Sequence, residues 1–254
     1  MAGKWTRDEE ILAFALYCRV PFGKIHAHNP SIKALASMLD RTPASVSMKM
    51  CNFARFDSSL QLRGVIGLKN GSRLDEEVWA EFSTNLGLLE QKSKEIFQKF
   101  GKQEENIDEA LLLPSGEDVE HISHIRLNQR FFRQAVLLSY RNTCCITGIA
   151  IPELLNASHI KPWKACDPLT ERTNPQNGLC LNALHDRAFD RGLITVDSDY
   201  RIILSKQIRD FYNSDEIREY FIKYEGKSIQ LPYRFLPSKE FLAFHNEYIF
   251  EKSI

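Results

Sequence analysis

"LNASHIKPW", Leu155 to Trp163, decides how the second half of this chain is read. It is a short strand candidate with a histidine near its end, and Lys161-Pro162 follows. Alone, such a histidine is an ordinary half-buried residue. Its meaning depends on what stands downstream. Asn177 follows His159 by 18 residues, and His185 follows Asn177 by 8. The chain there reads "NGLCLNALHDRAFDRGLITVD", residues 177–197. Leu179 and Leu181 begin an apolar stretch. "NALHDRAFD" then predicts a short helix capped by Asn182 and ended by Gly192. "LITVD" and "YRIILS" predict a closing hairpin that turns at Asp197, Ser198 and Asp199. Upstream, "NTCCI" is a second strand candidate, with "TGIAIPE" turning between it and "LLNASHI". Before that, "IRLNQRFFRQAVLLSY" has the period of an amphipathic helix. Phe132, Val136 and Tyr140 follow its buried side. Arg126, Gln129, Arg130 and Arg133 recur on another side, which fits either solvent or phosphate oxygens.

These spaced elements together resemble the HNH nuclease domain of the ββα-metal fold. The branch they resemble is written roughly C-x-[IV]-T-G…[AS]-H-I-x-P-W…N-G-L-x-L…H-x-x-F-D-x-G. The chain supplies Cys145-Ile-Thr-Gly148, Ser158-His159-Ile160-Lys161-Pro162-Trp163, Asn177-Gly178-Leu179 and His185 through Gly192. The likeness covers about residues 126–205. It implies phosphodiester hydrolysis with His159 as general base, since a neutral imidazole accepts water's proton near physiological pH. It implies His185 as metal ligand and Asn177 as the residue that ties the loop and orients the base. Many HNH nucleases carry an Asp metal ligand just before the catalytic His, where this chain has Ser158. Asp186 is an alternative ligand, and Asp190 ranks below it. The implied cofactor is a divalent ion, Mg²⁺ first, with Mn²⁺ or another transition ion as alternatives. Lys161 and Arg187 join Arg126, Gln129 and Arg133 as candidate DNA contacts.

The N-terminal half predicts helices only. "WTRDEEILAFALY" opens with Thr6 and Glu9 at capping-box spacing. In "SIKALASMLDRTPASVSMKMCNFARFD", Ser31 is a candidate N-cap, and Thr42-Pro43 caps and starts the next helix. Two short helices joined by a tight turn resemble a helix-turn-helix, whose second helix can enter the DNA major groove. Arg41, Ser45, Lys49 and Asn52 are the expected outward, DNA-facing residues. From Ser31 to Phe56, four basic residues (Lys33, Arg41, Lys49 and Arg55) stand against Asp40 alone. "KQEENIDEALLLPSGEDVEH" is acidic, broken by Pro114 and Gly116, and predicts a linker. The expected organisation is α+β. An all-helical helix-turn-helix-like domain spans 1–101, a linker 102–120, and an HNH nuclease domain with a helical extension 121–254.

Composition sets the outer limits. Hydrophobic residues are 43% of the 254, and Lys+Arg and Asp+Glu balance at 33 each. Whole-chain charge therefore attracts no nucleic acid, and binding must use local patches. The charged start "MAGKWTRDEE" and the lack of an apolar run of about 20 residues predict a cytoplasmic protein with no membrane partner. The six cysteines include no C-x-x-C pair, which argues against a disulfide framework or a zinc knuckle. The expected activity is a metal-dependent endonuclease on double-stranded DNA, in restriction or genome defence. It would act as a homodimer if it breaks both strands. The alternatives are a nonspecific or signal-activated effector nuclease, and a DNA-binding regulator with an inactive HNH fold.

Overall fold

The computed structural model describes residues 3–65, 71–100 and 120–251; the side chains of 120–128 and 130 are not among those described. Helix α1 (Arg7–Arg19) begins at Thr6, whose hydroxyl accepts from Glu9 N while the Glu9 carboxylate accepts from Thr6 N. Helix α2 (Pro30–Met38) corrects the expected cap. Asn29, not Ser31, takes that place, and its Oδ1 accepts from Ser31 N at 2.9 Å. Pro30 dictates this, because proline suits the first helical position and leaves the cap to the residue before it. Thr42 caps α3 (Pro43–Phe53) as the sequence predicts. Helices α4 (Ser58–Gln61), α5 (Arg73–Phe82) and α6 (Leu86–Lys99) follow. Gly101, and the expected linker up to residue 119, lie outside the described residues. Glu120 already belongs to α7 (Glu120–Ser139).

Helix α7 serves two cores. Phe131 and Ala135 join the helical core of Leu12, Phe14, Ile32, Leu35, Val46 and Phe53. Phe132 and Val136 join a second core with Leu155, Leu179, Leu181 and Phe189. Neighbouring helix positions point about 100° apart, so one helix can face both. The far end of the chain also closes the first core through Phe235. Beside it Arg234, buried, donates to the carbonyls of Tyr17 and Val20, the latter at 2.9 Å. Those carbonyls end α1 and lack intrahelical partners, so a buried guanidinium satisfies them.

The second core carries the ββα unit. Strands β1 (Leu155–His159) and β2 (Gly178–Asn182) pair antiparallel, with His159 opposite Gly178 and Leu155 opposite Asn182. Asn182 Oδ1 accepts from the backbone N–H groups of Leu184 and His185 and starts α8 (Ala183–Asp190). A Cβ on Gly178 would stand 2.4 Å from Val136 Cγ2, so only glycine lets β2 approach α7 this closely. Strands β3 (Ile194–Val196) and β4 (Ile202–Leu204) form the predicted hairpin. Its turn is held by Asp197 Oδ1, which accepts from Asp199 N and Arg201 N. "NTCCI" is not a strand. Gly148 turns the chain at φ +78° and donates to the Cys144 carbonyl at 2.9 Å. The segment reaches β2 through Cys145 N, which donates to Cys180 O at 2.8 Å. Helices α9 (Lys206–Asp210), α10 (Asp215–Tyr220) and α11 (Lys239–Tyr248) complete the chain, the last capped by Ser238.

Candidate active site

Strand β1, helix α7 and helix α8 enclose a cleft of about 680 Å³. Gln129, Phe132 and Arg133 line it from α7. Asn156 to His159 line it from β1, Pro162 and Trp163 from the following turn, and Asp186, Arg187 and Asp190 from α8, with Arg191 just past its end.

His159 is the best-held group in the cleft. Its Nε2 lies 2.9 Å from the Arg172 carbonyl oxygen. A carbonyl only accepts, so Nε2 carries the proton and Nδ1 keeps its lone pair. Among the described residues Nδ1 has no hydrogen-bond partner. The ring stacks on Phe132, centroids 4.0 Å apart, and meets the Trp163 edge-on at 5.5 Å. Burial holds the His159 pKa below its usual value, against the opposing pull of the Arg172 carbonyl. Near neutral pH the imidazole is therefore unprotonated and open at one nitrogen, as a base requires.

Asn177 is fully buried and does not reach the cleft. Its Oδ1 accepts from Lys161 N at 2.7 Å, and its Nδ2 donates to Lys161 O at 3.1 Å. Both bonds fasten the loop that leaves β1 just after His159. The Lys161 ammonium pairs with Glu171 and so is neutralised inside that loop.

Opposite the base, Asp186 is gripped from β1. Ser158 Oγ donates to its Oδ1, and Asn156 Nδ2 donates to its Oδ2 at 2.7 Å. Asn156 and Ser158 are two apart on a strand and so share a face. One turn along α8, Asp190 lines the same cleft. Its carboxyl is pushed up by desolvation and by the nearby Asp186 charge.

Residues 144–197 match a family model described as HNH endonuclease. This chain carries an HNH endonuclease domain. No curated protein matches the chain.

Within the HNH domain the structure separates two neighbours that the sequence ran together. His185 is buried on the far side of α8. Its Nδ1 lies 3.1 Å from Asn182 Oδ1 and its Nε2 lies 2.8 Å from the Tyr220 carbonyl. Phe221 and Tyr224 pack around the ring. Neither nitrogen is offered to the cleft, which corrects its expected place as a ligand. The motif H-x-x-F-D-x-G explains the offset. It sets two residues between its His and its Phe, whereas three separate His185 from Phe189. Counting back from Phe189 reaches Asp186, and one residue on a helix is a turn of about 100°.

The remaining sites sort by environment. Gln129, Arg133 and Arg187 line the cleft of the HNH domain. Arg133 is braced by a bond from Nη2 to the Leu155 carbonyl at 2.8 Å. The Arg126 side chain lies outside the described residues. In the N-terminal half the expected DNA-facing row is turned inward. Lys49 is buried, its Nζ 2.8 Å from Glu10 Oε1 and 2.7 Å from Asp75 Oδ1. Asn52 donates to Asp75, and Arg41 pairs with Glu9 and lies over Trp5. Ser45 is half-buried. Charges that looked free along one segment are neutralised by acids from other helices. Four cleft residues carried too weak a sequence signal to be chosen as sites: Asn156, Phe132, Trp163 and Arg191. Asn156 alone had a usable one, its place two residues before Ser158.

Proposed function

We propose that the chain is a divalent-metal-dependent DNA endonuclease in which His159 activates the attacking water. The observation that carries this is the fixed tautomer of His159, bare at Nδ1 and standing in one cleft with Asp186. Hydrolysis of a phosphodiester needs a base, charge neutralisation and help for the leaving oxygen. His159 supplies the first. Phe132 and Arg172 hold its ring, and Asn177 holds the loop on which Arg172 and His159 meet. Arg133 and Arg187 supply cationic donors for phosphate oxygens.

HNH nucleases generally use a divalent ion. Among the described residues no three His, Cys, Asp or Glu side chains group as a metal site. The cleft does offer hard oxygen donors: the Asp186 carboxylate, the Ser158 hydroxyl, the Asn156 amide oxygen and the nearby Asp190 carboxylate. This set fits Mg²⁺ or Mn²⁺, which bind through one or two carboxylates and keep much of their water. When bound, such an ion stabilises charge on the phosphate and the leaving oxygen.

The biological setting we propose is restriction or genome defence, on the pairing of an HNH domain with an N-terminal helical module. The inward Arg41 and Lys49 favour a second reading of that module. It would sense a partner or signal, making the enzyme an activated effector. An HNH site cuts one strand, so double-strand breaks would require two copies or two encounters.

Plasmid nicking with Mg²⁺ or Mn²⁺ tests the activity. His159→Ala should abolish nicking and leave DNA binding intact, and normal nicking by this variant would overturn the assignment. Digestion of modified and unmodified genomic DNA, with the ends mapped, separates restriction from indiscriminate cutting.

A further inference from the structure

Outside the cleft, two arginines share one tyrosine ring. Arg63 Cζ lies 3.8 Å from the Tyr233 ring centroid and Arg141 Cζ lies 3.2 Å from it. Both guanidinium groups therefore pack against this one aromatic ring. The three residues come from distant parts of the chain: after α4, after α7 and in the segment before α11. Tyr233 is anchored, its backbone N donating to Ser139 O at 2.7 Å. Both arginines are exposed. Among the described residues neither forms a salt bridge.

The arrangement is unlike that of Arg19, Arg41 and Lys49 in the N-terminal half, each of which has a carboxylate partner. Here two like charges are held together without one. Stacking uses the flat faces of the guanidinium groups and leaves their edge N–H donors free. Such a pair suits an anion with several oxygens, and phosphate geometry matches the guanidinium fork. Its position says which phosphate. Arg133 of the cleft lies within α7 and Arg141 lies just past its end at Ser139, and the helix rises roughly 9 Å between Arg133 and Ser139 at 1.5 Å per residue. A duplex seated at the cleft extends beyond that distance and carries charges at close, regular spacing.

We propose that Arg63, Tyr233 and Arg141 form a second DNA-backbone site. It would take phosphodiester groups a short way from the scissile bond and set how the duplex lies across the cleft. This rests on the reading of the chain as a DNA nuclease.

The test is DNA binding by the full chain in EDTA, measured by anisotropy over a range of salt. Paired R63Q and R141Q substitutions should weaken binding roughly tenfold or more at 0.1 M salt. They should also flatten the plot of log affinity against log salt by about 2, near 0.9 per phosphate contact. Hydrolysis of bis(p-nitrophenyl) phosphate should stay within twofold. Paired R63K and R141K substitutions keep the charges and should keep most of the slope, even where thermal melting shows that the stack is weakened. An unchanged slope in the Gln pair overturns the site, and so does an equal loss in the Lys pair, which would mark the stack as a structural staple. Absence of any DNA binding by the unmodified chain overturns the nuclease reading itself.

Discussion

Phe132 lies flat against the His159 imidazole, with ring planes 15° from parallel. The same phenyl ring closes on β2, where a Cβ on Gly178 would stand 3.1 Å from Phe132 Cζ. The base is thus aligned from one side by a carbonyl and from the other by a ring wedged against the sheet. Phe132→Leu keeps an apolar filling and removes the flat support. Cleavage should fall roughly tenfold or more, because small misplacements of a reacting group are costly. DNA affinity should stay within twofold. A rate within twofold of wild type would show that Phe132 does not position the base.

Asp186 and His185 make opposite predictions. Asp186→Asn should cut the nicking rate by about 100-fold or more, as losing a charged group in a preorganised site does. It should also weaken Mn²⁺ binding seen by calorimetry. His185→Gln should lower thermal stability, since it disturbs buried bonds to Asn182 and Tyr220. Its activity per folded molecule should stay within tenfold. The reverse pattern would restore His185 as the ligand.

Lys49 is the hub of a buried ion network with Glu10 and Asp75. Lys49→Met leaves two carboxylates buried without their shared cation. It should destabilise the fold by about 3–5 kcal/mol in urea unfolding. A change below about 1 kcal/mol, joined to a loss of DNA affinity, would return this lysine to the DNA-facing role.

His245 sets a pH dependence of stability. Its Nδ1 meets Thr195 Oγ1 and its Nε2 lies 3.1 Å from the Phe189 carbonyl. Burial pulls its pKa down to about 4. In the unfolded chain the value returns to roughly 6.5. Between those values the unfolded chain binds the extra proton, so this stabilisation is full above about 6.5 and falls as the pH drops towards 4. The loss from pH 7 to pH 5 should be about 2 kcal/mol for this group. Denaturant melts at the two pH values check it. A His245→Gln chain that loses as much stability as wild type would refute the assignment.

Part of the ββα unit was legible because its signals are local: β1, Asn182 as cap, the Asp197 turn and the glycine after α8 each act within a few residues. Its second strand, Gly178–Asn182, read only as an apolar stretch, because its partner β1 lies on the far side of a long loop. The place of His159 at the end of β1 was legible from the strand pattern around it. The choice between His185 and Asp186 was not, because composition names both as ligands and only the helix phase decides which faces the cleft. Arg41 and Lys49 misled for another reason. Their partners Glu9, Glu10 and Asp75 lie 26 or more positions away in other helices, a relation that no local window contains. "NTCCI" looked like a strand because apolar cysteines and isoleucine suit one, yet a left-handed glycine three residues after Cys145 folds the segment back.

Arg234 reaches Tyr17 across 217 positions of chain. On the ribosome, α1 emerges long before the guanidinium that satisfies its last carbonyls. The first core must therefore wait, incomplete, until synthesis has passed Arg234 and Phe235. A chain truncated before Arg234 would keep every residue of the ββα unit and still leave the amino-terminal helices unfinished, so stalled products should be poor at folding and short-lived.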